Sequence, residues 1–156
     1  MGLYVFMRHG KAVPASVAGS DEERWLTEEG RKDVALVAKL IPFMPKVVYT
    51  SPLRRARETA EIIAQVRGGE VRVVEQLSPG MASCEAIEEL GAEPETVFVG
   101  HAPSIELIVS CLIGGGAIKI KAGGFALVEA EELSRGQGEL VELVTPRIAR
   151  VLTGES

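Results

Sequence analysis

The sequence predicts an α/β protein, a three-layer α/β/α sandwich with a mostly parallel sheet and an antiparallel edge. Three observations support this fold class. Short apolar runs alternate with helical patterns over the first two thirds of the chain, which is the order of repeated βαβ units. Two closely spaced apolar runs near the C-terminus indicate an antiparallel pair. The length of 156 residues suits one domain, 1–156, with a substantial core.

The first strand is predicted at Leu3–Phe6, an apolar run that suits burial on both faces of a sheet. A polar loop over residues 13–23 follows it. Thr27 is placed to cap the next helix, because its hydroxyl can accept from a free backbone N–H group. The apolar positions of that helix recur at helical spacing and form one buried stripe: Val34, Val37, Ala38 and Ile41.

The second strand is predicted at 47–50, and the helix after it begins at a Ser-Pro pair. Ser51 suits the N-cap and Pro52 the first helical position. Arg55 and Thr59 are four residues apart, so they share one face near the start of this helix. A guanidinium is therefore expected close to the end of the second strand.

The same alternation continues until the C-terminal third of the chain. In order, the patterns predict a strand at 71–74, a helix at 84–90, a strand at 96–99 and a helix at 104–113. The last two strands, 125–130 and 139–144, are joined by a polar turn and form the antiparallel edge. A short helix is expected from Pro146.

Composition argues against several classes of function. The formal net charge of −5 argues against a nucleic-acid partner held by a basic surface. The longest apolar helical run, Ile105–Ile113, is far shorter than the roughly 20 residues that a membrane span needs. The first strand begins almost at the first residue and leaves no room for a signal peptide, so we expect a cytoplasmic protein. Cys84 and Cys111 have no metal-binding or redox spacing, and Cys111 is expected to be a buried small hydrophobe.

Arginine and histidine side chains follow three of the predicted parallel strands. Arg8 and His9 follow the first strand, Arg55 lies shortly after the second, and His101 follows the strand at 96–99. Because the carboxyl ends of parallel strands meet at one edge of a sheet, we expect these side chains to converge. A guanidinium can bind two phosphoryl oxygens at once, and clustered cations favour a bound anion. The sequence therefore predicts a phosphate pocket that contains a potential nucleophile, His9.

Three segments at these strand ends resemble the three signature segments of the histidine phosphatase superfamily. They are Arg8-His9-Gly10, the stretch Ser51 to Ala56, and Gly100-His101. The stretch Leu26 to Arg31 is similar to a fourth family segment. The small size, the loop at 77–79 and the glycine-rich C-terminal hairpin are most similar to the short, SixA-type phosphohistidine phosphatases. The resemblance implies a phosphoglycerate mutase-like fold.

The resemblance also implies a role for each matching residue. His9 attacks phosphorus and becomes a phosphohistidine, while Arg8 and Arg55 hold the phosphoryl oxygens. His101 donates to the same oxygens, and the backbone N–H of Ala102 is expected to face them. The implied enzyme is a phosphatase that needs no metal and no cofactor. The sequence assigns no role to Lys11 or Arg24.

Larger members of the superfamily use a carboxylate after the third strand as a general acid. Glu75 and Glu85 lie in this region, outside any convincing motif, and we interpret both as surface acids, although a role as acid stays open. Without an acid the leaving group must be good, and an imidazole with a pKa of about 6.5 leaves more readily than an alkoxide. We therefore expect a phosphohistidine on a signalling protein as the substrate. The alternatives are a phosphomonoesterase acting on a small phosphorylated molecule and a non-catalytic module that binds a phospho-ligand.

Overall fold

A six-stranded sheet forms the centre of the computed structural model, which describes residues 2–81 and 83–154. Its strands are β1 Gly2–Arg8, β2 Val47–Thr50, β3 Glu70–Val73, β4 Thr96–Gly100, β5 Phe125–Ala130 and β6 Gly138–Val144. Their order across the sheet is β3-β2-β4-β1-β5-β6. The first four strands are parallel, whereas β5 and β6 are antiparallel to their neighbours. The predicted mostly parallel sheet with an antiparallel edge is confirmed.

Helices cover both faces of this sheet. They are α1 Ala15–Ala18, α2 Glu28–Ala38, α3 Arg54–Arg67, α4 Cys84–Glu89, α5 Ser104–Leu112 and α6 Pro146–Thr153, with a short 3-10 helix at Glu75–Leu77. Within the described ranges, no helix is both long and apolar enough to cross a membrane.

Alternate residues of β1 enter two separate hydrophobic cores, as expected for a strand buried on both faces. Val5 and Met7 pack with residues of α2, α3 and α6. Tyr4 and Phe6 pack with residues of α4 and α5 on the other face, where the ring of Phe6 stacks on that of Phe98 at 4.8 Å. The three-layer arrangement is confirmed.

The start of α3 differs from the sequence prediction. The helix begins at Arg54 with Leu53 at the N-cap, so Ser51 is not the cap and Pro52 is not the first helical residue. The Ser51 hydroxyl instead accepts from the backbone N–H of Leu53 at 3.1 Å and contacts the ring of His101. The segment between β2 and α3 is therefore held in a turn.

The loop at 13–23 also differs, because it contains the single helical turn of α1.

The expectation for the cysteines is wrong. Cys84 and Cys111 form a disulfide that joins α4 to α5, with a Cα–Cα distance of 6.1 Å. Cys84 is buried, but Cys111 is only half-buried. Packing of α4 beside α5 brings the two residues within the range that a disulfide spans, although they are 27 positions apart in the chain.

Candidate active site

Three adjacent strands bring the predicted residues to one edge of the sheet. The backbone N–H of His9 donates to the Gly100 carbonyl at 3.1 Å, and that of Ser51 donates to Val99 at 3.2 Å. The rings of His9 and His101 lie 5.0 Å apart between centroids. Arg55 Nε lies 3.2 Å from His9 Nε2. Segments distant in sequence therefore meet around a pair of imidazoles.

The His9 ring is held in one orientation by its own loop. His9 Nδ1 lies 2.7 Å from the Gly10 carbonyl oxygen, which can only accept, so the proton is on Nδ1. Nε2 then carries the lone pair and accepts from Arg55 Nε. The loop itself is tied to α3, since the Gly10 N–H donates to Thr59 Oγ1 at 3.1 Å and that hydroxyl donates to the Arg55 carbonyl at 2.8 Å.

The environment of His9 favours its neutral form. Burial, with smaller effects from the positive charges of Arg55, Arg8 and Arg24, lowers the pKa of His9 to about 4 against the opposing hydrogen bond to Gly10. The ring is therefore uncharged at neutral pH. An uncharged imidazole with the lone pair on Nε2 is the form that can attack phosphorus, once a phosphoryl group takes the place of Arg55 Nε at that nitrogen.

His101 is oriented by Ser51, a residue assigned to a helix cap from sequence alone. His101 Nε2 lies 2.7 Å from Ser51 Oγ. The hydroxyl also accepts from the Leu53 N–H, and assigning its own proton to Nε2 satisfies both groups and leaves the ring proton on Nδ1. Burial, followed by the influence of His9 and Arg55, lowers the pKa of His101 to about 3. His101 is thus a neutral Nδ1–H donor.

The two arginines differ in how many of their donors are engaged. Arg8 Nη1 donates to the Ile120 carbonyl at 3.2 Å. Arg55 Nη1 donates to the Asp21 carbonyl at 2.7 Å, and Nη2 lies 3.3 Å from the Asp21 carboxylate. The free fork expected at Arg55 is therefore occupied by Asp21 in this conformation. Burial raises the pKa of Asp21, but Arg55 and Arg24 outweigh that effect and hold it below its usual value.

Two buried donors at this site have no hydrogen-bond partner among the described residues. They are Arg8 Nε and His101 Nδ1. A buried polar group without a partner is costly, and a bound ion or ligand is one way to satisfy it. An oxyanion beside His9 would accept hydrogen bonds from Arg8 Nε and His101 Nδ1. The arrangement can therefore bind a tetrahedral anion next to His9 Nε2.

The remaining predicted residues lie outside this cluster of contacts. Glu85 is exposed and accepts from Arg135 at 3.0 Å. A hydrogen bond from its own backbone, then those from Arg135 and Ser83, lowers the pKa of Glu85. Glu75 is also exposed and accepts from the Ser78 hydroxyl at 3.1 Å. Ala102 follows His101 at the end of β4, and an amide contact from it to phosphate stays a prediction.

Two residues of the site were missed or misassigned in the sequence analysis. For Ser51 a signal existed, because it directly follows a strand whose end lies at the same sheet edge as His101. For Asp21 no signal existed, since it is one of three consecutive acidic residues in a loop without periodicity.

Comparison with known proteins agrees with this geometry. Residues 4–79 match the model of the histidine phosphatase superfamily (branch 1), a range that contains His9 and Arg55 but ends before His101. An uncharacterized protein of Picosynechococcus sp. is 36% identical over 114 residues, which cover 67% of this chain and 68% of that protein.

Solved structures share the fold over nearly the whole chain. The protein histidine phosphatase SixA, complexed with tungstate, superposes with a TM-score of 0.80 at 23% identity, over 93% of this chain and 97% of that chain. A phosphoserine phosphatase from Entamoeba histolytica, in complex with 3-phosphoglyceric acid, gives a TM-score of 0.72 at 17% identity, over 93% and 98%. The expected phosphoglycerate mutase-like fold is confirmed. With the family match and the related sequence, these findings show that the chain belongs to the histidine phosphatase superfamily.

Proposed function

We propose that this phosphatase removes the phosphoryl group from phosphohistidine on a protein, through a covalent intermediate on His9. The observation that carries the proposal is the set of contacts at the site, where His9 contacts Gly10 and Arg55, and His101 contacts Ser51. His9 and His101 are held neutral, and the nearby carboxyl group of Asp21 is held ionised. A neutral nucleophile is present, but these residues supply no acid for the leaving group.

The first step exchanges one nitrogen–phosphorus bond for another. His9 Nε2 attacks phosphorus, the bond from phosphorus to the substrate imidazole breaks, and its electron pair returns to the leaving nitrogen. A substrate ring that carries a proton on its other nitrogen then leaves as neutral imidazole. Arg8 Nε and His101 Nδ1 donate to the phosphoryl oxygens, where preorganised donors are most effective.

The second step returns the enzyme to its starting state. Water attacks the phosphorus of phosphohistidine 9, and the bond to Nε2 breaks with the electron pair returning to His9. Both hydrogens of the water stay with the released dihydrogen phosphate, which then equilibrates with solvent. No proton has to be stored on the protein, in keeping with two imidazoles whose pKa values are about 4 and about 3.

The leaving group separates this proposal from a small-molecule phosphomonoesterase. An alkoxide needs a proton as it departs, so an alkyl phosphate requires a general acid. The exposed Glu85 has a lowered pKa and an ion pair with Arg135, which makes it a poor acid. The SixA structure is that of a protein histidine phosphatase, whereas the Entamoeba histolytica protein is a phosphoserine phosphatase. The chemistry of this chain favours the former substrate class.

The experiment is a rapid-quench trap with a radiolabelled phosphohistidine peptide. We expect an acid-labile, alkali-stable phosphoryl group on the wild-type chain. The chain has only two histidines, so the label should be lost in His9→Ala and still form, more slowly, in His101→Ala. A substrate panel run alongside should show phosphohistidine peptide turned over faster than alkyl phosphates, with Glu85→Gln unchanged. Absence of a label would favour a non-catalytic binding module, and faster turnover of alkyl phosphates would favour the phosphomonoesterase.

A further inference from the structure

An open cavity of about 480 Å³ lies beside the active site and is lined by four basic side chains. We call it the basic pocket, and its cations are Lys11, Lys121, Arg147 and Arg150. The other lining residues are Asp33, Thr145, Ala122, Pro146 and Ile148. Its volume is in the range of ligand-binding pockets. None of its residues belongs to the catalytic groups described above.

A short segment, 121–124, separates the basic pocket from the active site. The Gly123 N–H donates to the carbonyl oxygens of Arg8 and His9, each at 3.0 Å, and the Arg8 N–H donates to Gly124 at 3.0 Å. Arg8 at the end of β1 and Thr145 after β6 are two strand spacings apart at the same sheet edge. The backbone positions of Arg8 and Thr145 are therefore about 10 Å apart.

The charges of the basic pocket are only partly compensated. Lys11 pairs with Glu29 at 3.0 Å, and Arg150 pairs with the buried Asp33 at 2.9 Å and lies 3.9 Å from Glu29. Lys121 and Arg147 are exposed, and neither has a carboxylate within 4.0 Å in the part of the chain that the structure describes. The N-terminal end of α6 adds its dipole to the same field. The pocket therefore attracts anions.

We propose that the basic pocket binds carboxylate side chains that the substrate protein carries near its phosphohistidine, an inference that rests on the proposed function. The cavity is larger than one small anion requires, and Ala122, Pro146 and Ile148 offer apolar contacts to the methylene groups of a glutamate. The chain carries a formal net charge of −5, so its overall charge opposes the approach of an acidic protein. The basic pocket offers such a partner positive charge beside His9.

The test uses the full chain and two phosphohistidine peptides that differ only in having Glu or Gln beside the phosphohistidine. The variant Lys121→Gln/Arg147→Gln removes two exposed cations that the proposed chemical steps do not use. We expect kcat/KM for the Glu peptide to fall about tenfold in this variant, mainly through KM, since exposed charges act on association. For the Gln peptide and for p-nitrophenyl phosphate, we expect changes of less than about twofold.

A matched control is the variant Lys39→Gln/Lys46→Gln. It removes the same charge from two exposed positions near the opposite edge of the sheet, after α2 and before β2. The preference for the Glu peptide should persist in it. A second measurement does not require turnover of phosphohistidine. The unphosphorylated Glu peptide should inhibit hydrolysis of p-nitrophenyl phosphate by the wild type, and about tenfold more weakly in the Lys121→Gln/Arg147→Gln variant.

Equal losses for the Glu and Gln peptides, or no inhibition by the Glu peptide, would overturn this inference. Inhibition by a small bisphosphate but not by the Glu peptide would also overturn it and assign the pocket to a second phosphate. If the wild type hydrolyses p-nitrophenyl phosphate but neither phosphohistidine peptide, the proposed function fails. The dependence of peptide inhibition on Lys121 and Arg147 would still decide what the basic pocket binds.

Discussion

The active site and the basic pocket both gather positive charge at the same edge of the sheet, but they hold it differently. At the active site the guanidinium of Arg55 is almost fully buried, with 6% of its side chain exposed, and is fixed by contacts to Asp21 and His9. In the basic pocket the Lys11 side chain is 51% exposed, and Lys121 and Arg147 are exposed as well. Burial makes a charge strong and directional, whereas exposure leaves it screened by solvent and salt.

This difference assigns the two regions different tasks. Buried donors with fixed directions can stabilise one arrangement of atoms, as a phosphoryl transition state requires. Exposed cations on flexible side chains attract an anionic partner and tolerate variation in how it binds. A change at the active site should therefore alter kcat strongly, and a change in the basic pocket should alter mainly the association of acidic substrates.

The largest effect is expected from Arg55→Lys. A lysine supplies one charged nitrogen and cannot contact His9 Nε2 and Asp21 as the guanidinium does. We expect kcat/KM to fall at least about 100-fold for any phosphorylated substrate. The matched control is Arg54→Lys, one residue earlier, where the side chain is 41% exposed and pairs with Glu58. Steady-state kinetics should show a change of less than about twofold there. Similar losses in the two variants would contradict a specific role for the buried guanidinium of Arg55.

A smaller effect is expected from Ser51→Ala, which removes the hydroxyl that orients His101. Loss of one neutral hydrogen bond of about 1.4 kcal/mol corresponds to about a tenfold lower kcat. The nitrogen chemical shifts of the His101 ring should show a mixture of tautomers in this variant, and Ser51→Thr should restore the Nδ1–H form. Ser110→Ala is the control, because that hydroxyl donates to Gly116 away from the site. An unchanged tautomer in Ser51→Ala would remove Ser51 from the mechanism.

Whether a residue of this site can be predicted from the sequence depends on which part of the fold positions it. His9, Arg55 and His101 follow buried strands, so residue type and topology suffice to bring them together. The strands are also predicted, with bounds that differ by one residue at β3 and β4 and by up to two residues at either end of β1. The contact of Asp21 with Arg55 and the disulfide both depend on how loops and helices pack, which no local pattern encodes.

The pH dependence of stability also distinguishes the active site from the basic pocket, because the only two histidines of the chain are both in the active site. Their folded-state pKa values, about 4 and about 3, lie below the value of about 6.5 in the unfolded chain. The unfolded state therefore binds more protons as the pH falls below about 6.5, and stability is lost in that direction. Each histidine contributes a slope that approaches about 1.4 kcal/mol per pH unit towards pH 5.

Urea unfolding in phosphate-free buffer at several pH values between about 6.5 and about 5 measures this slope. The variant His101→Asn should show about half of the wild-type slope, whatever its absolute stability. Lys121→Gln/Arg147→Gln should leave the slope unchanged, because the exposed cations of the basic pocket do not take part in the burial of either ring. An unaltered slope in His101→Asn would mean that the ring is not held neutral by the fold.

The smallest effect is expected for salt acting on a substrate that reaches only the active site. For p-nitrophenyl phosphate, kcat/KM of the wild type should change by less than about threefold between about 0.05 M and about 0.5 M sodium chloride. The reason is that Arg55 and His101 are buried, so mobile ions screen interactions at these residues less than at exposed ones. The Glu-containing phosphohistidine peptide should lose more, because its carboxylate is attracted by the exposed cations Lys121 and Arg147, which salt screens. Equal salt dependence for both substrates would show that one continuous field, and not two separate sites, governs binding.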